Sequence, residues 1–139
     1  LKNEPIFVIY GDNYISFDLL DLKLFNEKMN ADISIIFHWR RDIKNSGIAE
    51  FDSSGQITKF IEKPISASIS DGWVNAGIYY IKKNNIFNII NEKDDFGYNL
   101  FPKCLSKGLK LFGLKKDIDL TSIDTLDLLS SSLEKFEKN

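Results

Sequence analysis

Near its C-terminus the chain reads KKDIDLTSIDT, with Asp117, Asp119 and Asp124 inside eight positions. Three chemistries suit such a cluster: a solvated turn, the DxDxT nucleophile loop of a phosphatase, or part of a divalent-cation site completed elsewhere. A nucleophile loop of that kind follows a strongly apolar strand and precedes the catalytic apparatus. Here Asp117-Ile-Asp-Leu-Thr121 follows Lys115-Lys116 and has fewer than twenty residues after it. The order is wrong for a phosphatase, which leaves the turn and the metal site. Other chemistry-bearing residues then matter. Gly11-Asp12 ends the apolar run IFVIY, and a carboxylate at the C-terminal end of a strand lies where open α/β sheets bind ligands. Glu62-Lys63-Pro64 puts a carboxylate that can accept sugar hydroxyls beside an ammonium that can neutralise phosphate. Pro64 fixes the chain's exit, so the two side chains need not point to opposite faces. Asn75 and Gly77 interrupt the strand VNAGIYY with a polar side chain and with none, as where a ligand or another backbone comes close. Each has an ordinary alternative: a turn aspartate, a solvated hairpin end, an asparagine satisfying a loop.

Other features carry less. DFG at Asp95–Gly97 matches a kinase motif, but no HRD loop, Gly-rich loop or APE accompanies it. His38 is the single histidine and alternates with Phe37 and Trp39 on a strand, so a structural role is expected and a His-based triad or zinc site is not. Cys104 is the only cysteine, which excludes an intrachain disulfide and reads as a small buried residue.

The elements that must position these residues follow from pattern. Ile6–Tyr10 reads as a strand buried on both faces. Ser16 is expected to cap a helix through Asn30, with Phe17, Leu20, Leu24 and Phe25 as its apolar stripe. Ile33–Trp39 is a second strand, so strand, helix and strand form a βαβ unit with parallel pairing. Gly47–Glu62 reads as a hairpin turning at Asp52-Ser-Ser-Gly55. Pro64–Gly72 is a loop of small polar residues and Trp73–Lys82 a further strand. NNIFNIINEK and YNLFPKCLSKG suggest short helices, LKLFGL a strand, and Ser122 the cap of a last amphipathic helix over IDTLDLLSSSLEKF. At 139 residues, 43% hydrophobic with eleven Phe, the chain fits one packed domain without a repeat or membrane span. A net charge of -2 gives no electrostatic case for nucleic acid or an anionic membrane. A soluble cytoplasmic setting is the default expectation.

Taken in order, the pieces resemble the sugar-1-phosphate nucleotidyltransferases, those acting on mannose or heptose 1-phosphate with guanylyl transfer above all. The match runs through FVIYGDNYI, SGIAEFDSSGQI, KFIEKP, GWVNAGIYYI and NLFPKCL to Asp119-Leu-Thr-Ser122 before IDTLDLL, over nearly the whole chain. The resemblance implies an α/β fold: a Rossmann-like, mixed, mostly parallel sheet flanked by helices, with an inserted hairpin. It implies Mg2+ held by Asp12 and Asp119, and a sugar 1-phosphate and a nucleoside triphosphate as substrates. Glu62 and Asn75 would bind sugar hydroxyls and Lys63 the sugar phosphate. Gly11, Gly47 and Gly77 would give the sugar room. A homo-oligomer is left open. The family's Gly-rich, nucleotide-binding loop lies upstream of Gly-Asp, where this chain has only LKNEPIFVIY. The chain is therefore expected to be the C-terminal, sugar-binding portion, inactive alone. Thr121, where the family has glycine, motivates a second reading, a non-catalytic module that keeps the fold and binds a sugar phosphate.

Overall fold

The structure is a computed structural model that describes residues 4–15, 17–64, 71–82, 86, 88–118, 120–122 and 130. Its elements run β1 (Ile6–Ile9), β2 (Asn13–Ile15), α1 (Leu19–Met29), β3 (Ile33–Arg40), β4 (Ile48–Phe51), β5 (Ile57–Ile61), β6 (Gly72–Ile81), a π-helical turn (Phe96–Leu100), α2 (Phe101–Ser106), β7 (Leu111–Lys115) and β8 (Leu120–Ser122). Six strands form one sheet in the order β5-β4-β6-β3-β7, with β1 also on β6, and β2 and β8 make a separate two-stranded ribbon.

The α/β layering and the inserted hairpin are as expected. Parallel pairing is met only in part: β3 and β7 are parallel, while β1–β6, β3–β6, β4–β5 and β4–β6 are antiparallel. β1 and β3 do run in the same direction, but β6 lies between them and pairs with both. The βαβ pattern is local in sequence and cannot show that a strand more than thirty residues later enters the gap. β1 is also not buried on both faces: its exposure alternates, and Phe7 and Ile9 are 39% and 51% exposed.

Helices cover both faces of the sheet. One face packs Ile33, Ile35, Phe37, Tyr79 and Leu111 against Leu100, Phe101 and Cys104 of the π turn and α2. The other packs Ile36, Ala76, Ile78 and Tyr80 against Leu22 of α1. Burying a side chain such as Leu22 contributes about 1.5–3 kcal/mol. The α1 stripe differs from the expected one: Leu22 and Asn26, four apart, are buried, and Leu20 and Leu24 are half exposed. The N-cap is Asp18, whose Oδ1 accepts from Leu20 N at 2.9 Å, and Asn30 ends the helix in the left-handed region. Asn26 Nδ2 donates to Ser34 Oγ at 2.9 Å, tying α1 to β3 inside the core.

Cys104 is buried among these residues, and burial pushes its thiol up to about 11. The hairpin turn is held by Asp52 Oδ1, which accepts from Ser54 N and Gln56 N, with Gly55 at φ 86°. Ser16, residues 65–70 of the expected loop and the last helix after Ser122 fall, wholly or for the most part, outside the described residues. The helix expected over NNIFNIINEK is not formed by its described residues, Ile86 and 88–93, which make turns in which Ile89 N and Ile90 N donate to Ile86 O at 2.8 and 3.0 Å. Among the described residues no helix is long and apolar enough to cross a membrane.

Candidate functional site

The site is organised by a bulge in β6. Ile35 of β3 pairs with Tyr79 and Phe37 with Asn75, so Ile36 alone faces Ala76, Gly77 and Ile78. Such a bulge bends a strand and re-aims its side chains. Gly77 takes φ 69°, and a side chain on it would enter the Tyr10 ring, with Cγ 2.8 Å from the new Cβ. Asn75 locks the bulge: Gly77 N donates to its Oδ1 at 2.9 Å, and its Nδ2 donates to the Tyr79 hydroxyl at 2.8 Å. Before the bulge β6 pairs with β4 at Val74; beyond it, from Ile78 on, it pairs with β1. The two neighbours meet β6 at the bulge itself, where Tyr10 N donates to Gly77 O at 2.9 Å and Asn75 N to Gly47 O at 2.7 Å.

Where β1 and β4 part, a cleft of about 160 Å3 opens, lined by five of the residues singled out from the sequence: Asp12, Gly47, Glu62, Asn75 and Gly77. Asn13 Nδ2 donates to Ala76 O at 3.3 Å, holding the turn that carries Asp12 against the bulge. A pocket of this size lies below the roughly 300 Å3 at which drug-sized sites begin, and suits one small polar moiety.

Glu62, just past β5, sits in a slot made by two glycines. A Cβ on Gly47 would stand 2.6 Å from its Oε2, and one on Gly97 would meet the same atom closer still. Gly97 is fixed in turn by Asp95, whose Oδ1 accepts from Gly97 N at 2.8 Å and Tyr98 N at 2.9 Å to cap the π turn. The DFG triplet thus has a use unrelated to kinases. Burial raises the Glu62 pKa, the Asp95 carboxylate raises it further, and Lys63 opposes.

Two expected residues, Gly11 and Lys63, do not line the cleft. Lys63 is exposed and adopts φ 48°, a left-handed backbone costing a non-glycine residue about 1–2 kcal/mol. Its N donates to Ser46 O at 3.3 Å. The change of direction after Glu62 therefore occurs in the backbone of Lys63, with Pro64 following it. Strain of this kind collects at functional sites. Asp119 lies outside the described residues; β8, which follows it, pairs Leu120 with Ile15 and Ser122 with Asn13, next to the strand that follows Asp12.

The cleft also contains His38, for which a structural role was expected, and Arg40, which sequence reasoning passed over. They are two apart at the end of β3 and so share one face of that strand. That spacing, at a strand end pointing to the same rim as Asp12, was the available signal. His38 is 5% exposed, and burial together with the Arg40 guanidinium lowers its pKa from 6.5 to about 4. Its ring makes no hydrogen bond among the described residues, and neither Arg40, Asp12 nor Glu62 has a side-chain hydrogen bond or ion pair there. The ion pairs among the described residues lie elsewhere: Lys59–Glu50, Lys103–Asp94 and Lys116–Asp21.

No group of three or more His, Cys, Asp or Glu side chains among the described residues could form a closed metal cage. Asp12 offers a carboxylate unengaged among the described residues, which fits a cation such as Mg2+ that takes one or two carboxylates and completes its shell with substrate phosphates.

Comparison with known proteins agrees with this architecture. Over 124 residues the chain is 27% identical to a UTP–glucose-1-phosphate uridylyltransferase of Synechocystis sp., covering 87% of this chain and 32% of that protein. It is 26% identical over 121 residues to a glucose-1-phosphate adenylyltransferase of Clostridium acetobutylicum, covering 81% and 31%. The chain thus spans about a third of the length of these relatives. The fold matches the crystal structure of HddC from Yersinia pseudotuberculosis with a TM-score of 0.74 at 21% identity, over 95% of this chain and 55% of that one. A second structure of HddC, complexed with GMP-PN, matches with a TM-score of 0.73. The model of the nucleotidyl transferase family matches residues 1–125, and the chain belongs to that family.

Proposed function

We propose that this chain is the sugar-binding portion of a sugar-1-phosphate nucleotidyltransferase. The whole protein would join a sugar 1-phosphate to a nucleoside triphosphate, forming a nucleotide sugar and pyrophosphate. The observation that carries this reading is the cleft at the β6 bulge, where family membership meets ionisable side chains that have no hydrogen-bond or ion-pair partner among the described residues. Buried and half-buried polar groups are ordinarily satisfied within the protein, whereas buried His38 and half-buried Glu62 have no such partner among the described residues. The reaction forms a bond from a sugar-phosphate oxygen to the α-phosphorus and breaks the α–β anhydride, leaving the electron pair on pyrophosphate. Its demands are alignment and charge neutralisation.

Glu62, when ionised, accepts hydrogen bonds from sugar hydroxyls through both oxygens, and the glycine slot fixes its direction. Asn75 is half committed to Gly77 and Tyr79, which orients the remaining Nδ2 hydrogen. Asp12 would hold Mg2+, with Asp119 proposed as the second carboxylate. The ion, when bound, neutralises phosphate charge. Guanine is the base that the motif resemblance carries, and the names of the curated relatives make uridine and adenine the competitors.

Calorimetry of the 139-residue chain with mannose 1-phosphate and glucose 1-phosphate, with and without Mg2+, tests the reading. Saturable binding strengthened by Mg2+ and weakened by Glu62→Gln is expected. No binding of either sugar would remove it. Pyrophosphate release with GTP, UTP or ATP is expected to be absent from this chain and present in a protein of the relatives' full length. A full-length protein that binds sugar 1-phosphate without turnover would instead support the non-catalytic module suggested by Thr121.

A further inference from the structure

Four polar residues are buried among the described residues: Asn26, Ser34, His38 and Ser46. Asn26 and Ser34 bond to one another in the core, away from the cleft. His38 and Ser46, 5% and 9% exposed, both line the cleft, and neither side chain has a hydrogen-bond partner among the described residues. Their polar atoms are not sealed in: the one sealed and unbonded side-chain polar atom among the described residues is Asn26 Oδ1. The small surface that each residue keeps therefore includes polar atoms.

The backbone fixes both positions. Val74 of β6 pairs with His38 of β3 on one side and with Ile48 of β4 on the other, and Ser46 stands two residues before Ile48. Ser46 N donates to Ile43 O at 3.1 Å, and Ser46 O accepts from Lys63 N at 3.3 Å, beside Glu62. The two side chains thus reach one cleft from the two elements that flank β6. Neither is charged at pH 7, since burial and the Arg40 guanidinium hold the imidazole neutral. A neutral imidazole offers one donor and one acceptor, and a serine hydroxyl does both. That set complements a ligand hydroxyl, which also donates and accepts; an oxyanion would want donors and positive charge.

We infer that His38 and Ser46 hydrogen-bond hydroxyls of the sugar and so help decide which sugar the cleft accepts. The inference rests on the sugar-phosphate reading. It adds two neutral contacts to those of Glu62 and Asn75 and displaces neither. Contacts of this kind discriminate, because a sugar lacking the matching hydroxyl leaves a buried polar group unpaired.

Calorimetry of the 139-residue chain tests it, with mannose 1-phosphate, glucose 1-phosphate and the monodeoxy analogues of whichever the parent binds. His38→Phe keeps a flat ring and removes both ring nitrogens, and Ser46→Ala removes a single oxygen. Each is expected to weaken the sugar phosphate by roughly three- to tenfold. For each variant, one deoxy analogue should bind as tightly as it binds the parent, which identifies the hydroxyl read. His38→Gln, which restores a polar end, should recover part of the loss. If His38→Phe lowers the thermal midpoint, Ser46→Ala and His38→Gln still decide the matter. Unchanged affinity in both variants, or an equal loss across every deoxy analogue, would overturn the inference and leave the sugar reading standing. Loss in one variant alone would overturn the assignment of the other residue. A parent that binds neither sugar phosphate would remove the sugar reading, and this inference with it.

Discussion

Replacing Gly77 with alanine separates two costs that the structure assigns to this one position. The first is conformational: at φ 69° a side chain meets its own backbone, which costs about 1–2 kcal/mol. Gly55 in the hairpin turn, at φ 86° with nothing within 4 Å of an added Cβ, carries that cost alone. At Gly77 the new methyl would also lie 2.8 Å from Cγ and 2.9 Å from Cδ2 of Tyr10. Tyr10 cannot simply withdraw. Its N–H is bonded to Gly77 O, and its ring stands edge-on to Tyr79 at 5.7 Å between centroids. Overpacking of this kind adds about 1–3 kcal/mol. Gly55→Ala should therefore lose about 1–2 kcal/mol and Gly77→Ala about 2–5 kcal/mol, the larger figure being a large share of an ordinary domain's stability. Urea unfolding followed by far-UV circular dichroism measures both, compared at the transition midpoints with the slope checked for constancy. In a double-mutant cycle, Tyr10→Ala should relieve part of the Gly77→Ala loss. A Gly77→Ala loss no greater than that of Gly55→Ala, or strict additivity with Tyr10→Ala, would refute the claim that Tyr10 is wedged against the bulge.

Three more expectations concern the cleft. The His38 pKa is lower in the folded chain, about 4 against 6.5, so the unfolded chain takes up the proton first as pH falls. Stability is full above pH 6.5 and lost towards pH 4, by at most about 3 kcal/mol before solvent screening at the cleft mouth is allowed for; a His38→Gln variant with the same pH profile as the parent would contradict this. Gly47→Ala should push Glu62 aside and weaken mannose 1-phosphate by roughly tenfold while sparing inorganic phosphate, and unchanged sugar-phosphate affinity in a calorimeter would show that the slot is unimportant. Asp12→Asn should abolish the strengthening of mannose 1-phosphate binding by Mg2+ and leave metal-free binding in place, a split that titration with and without chelator reads directly.

Much of this site was legible because its signals are local and chemical. A carboxylate after a strand, a carboxylate before Lys-Pro and a glycine inside a strand are visible in any short window, and Asp12, Glu62 and Gly77 do converge. What could not be read depends on partners distant in sequence. β6 inserts between β1 and β3, and this changed the expected parallel pairing and left one face of β1 partly open. The α1 stripe was misread because Leu20 and Leu24 satisfy the helical period as well as Leu22 and Asn26 do; only the sheet decides which side is inward. Gly97 looked like part of a kinase triplet because its true neighbour, Glu62, is 35 positions away, a contact no motif encodes.

His38 shows how burial and a cleft can coincide. Its alternation with Phe37 and Trp39 on a strand pointed to a structural role, and its ring is buried. Burial and function are not alternatives at the end of a strand that borders a cleft. There, a ring almost sealed from solvent can still present one edge to a ligand, and sealing it keeps it neutral at pH 7, as its lowered pKa requires. A neutral imidazole beside a permanent guanidinium adds hydrogen-bonding capacity without adding charge repulsion. The bulge does the rest: β1 ends against its Gly77 side and β4 starts against its Asn75 side, which brings His38, Arg40 and the carboxylates of Asp12 and Glu62 onto one rim.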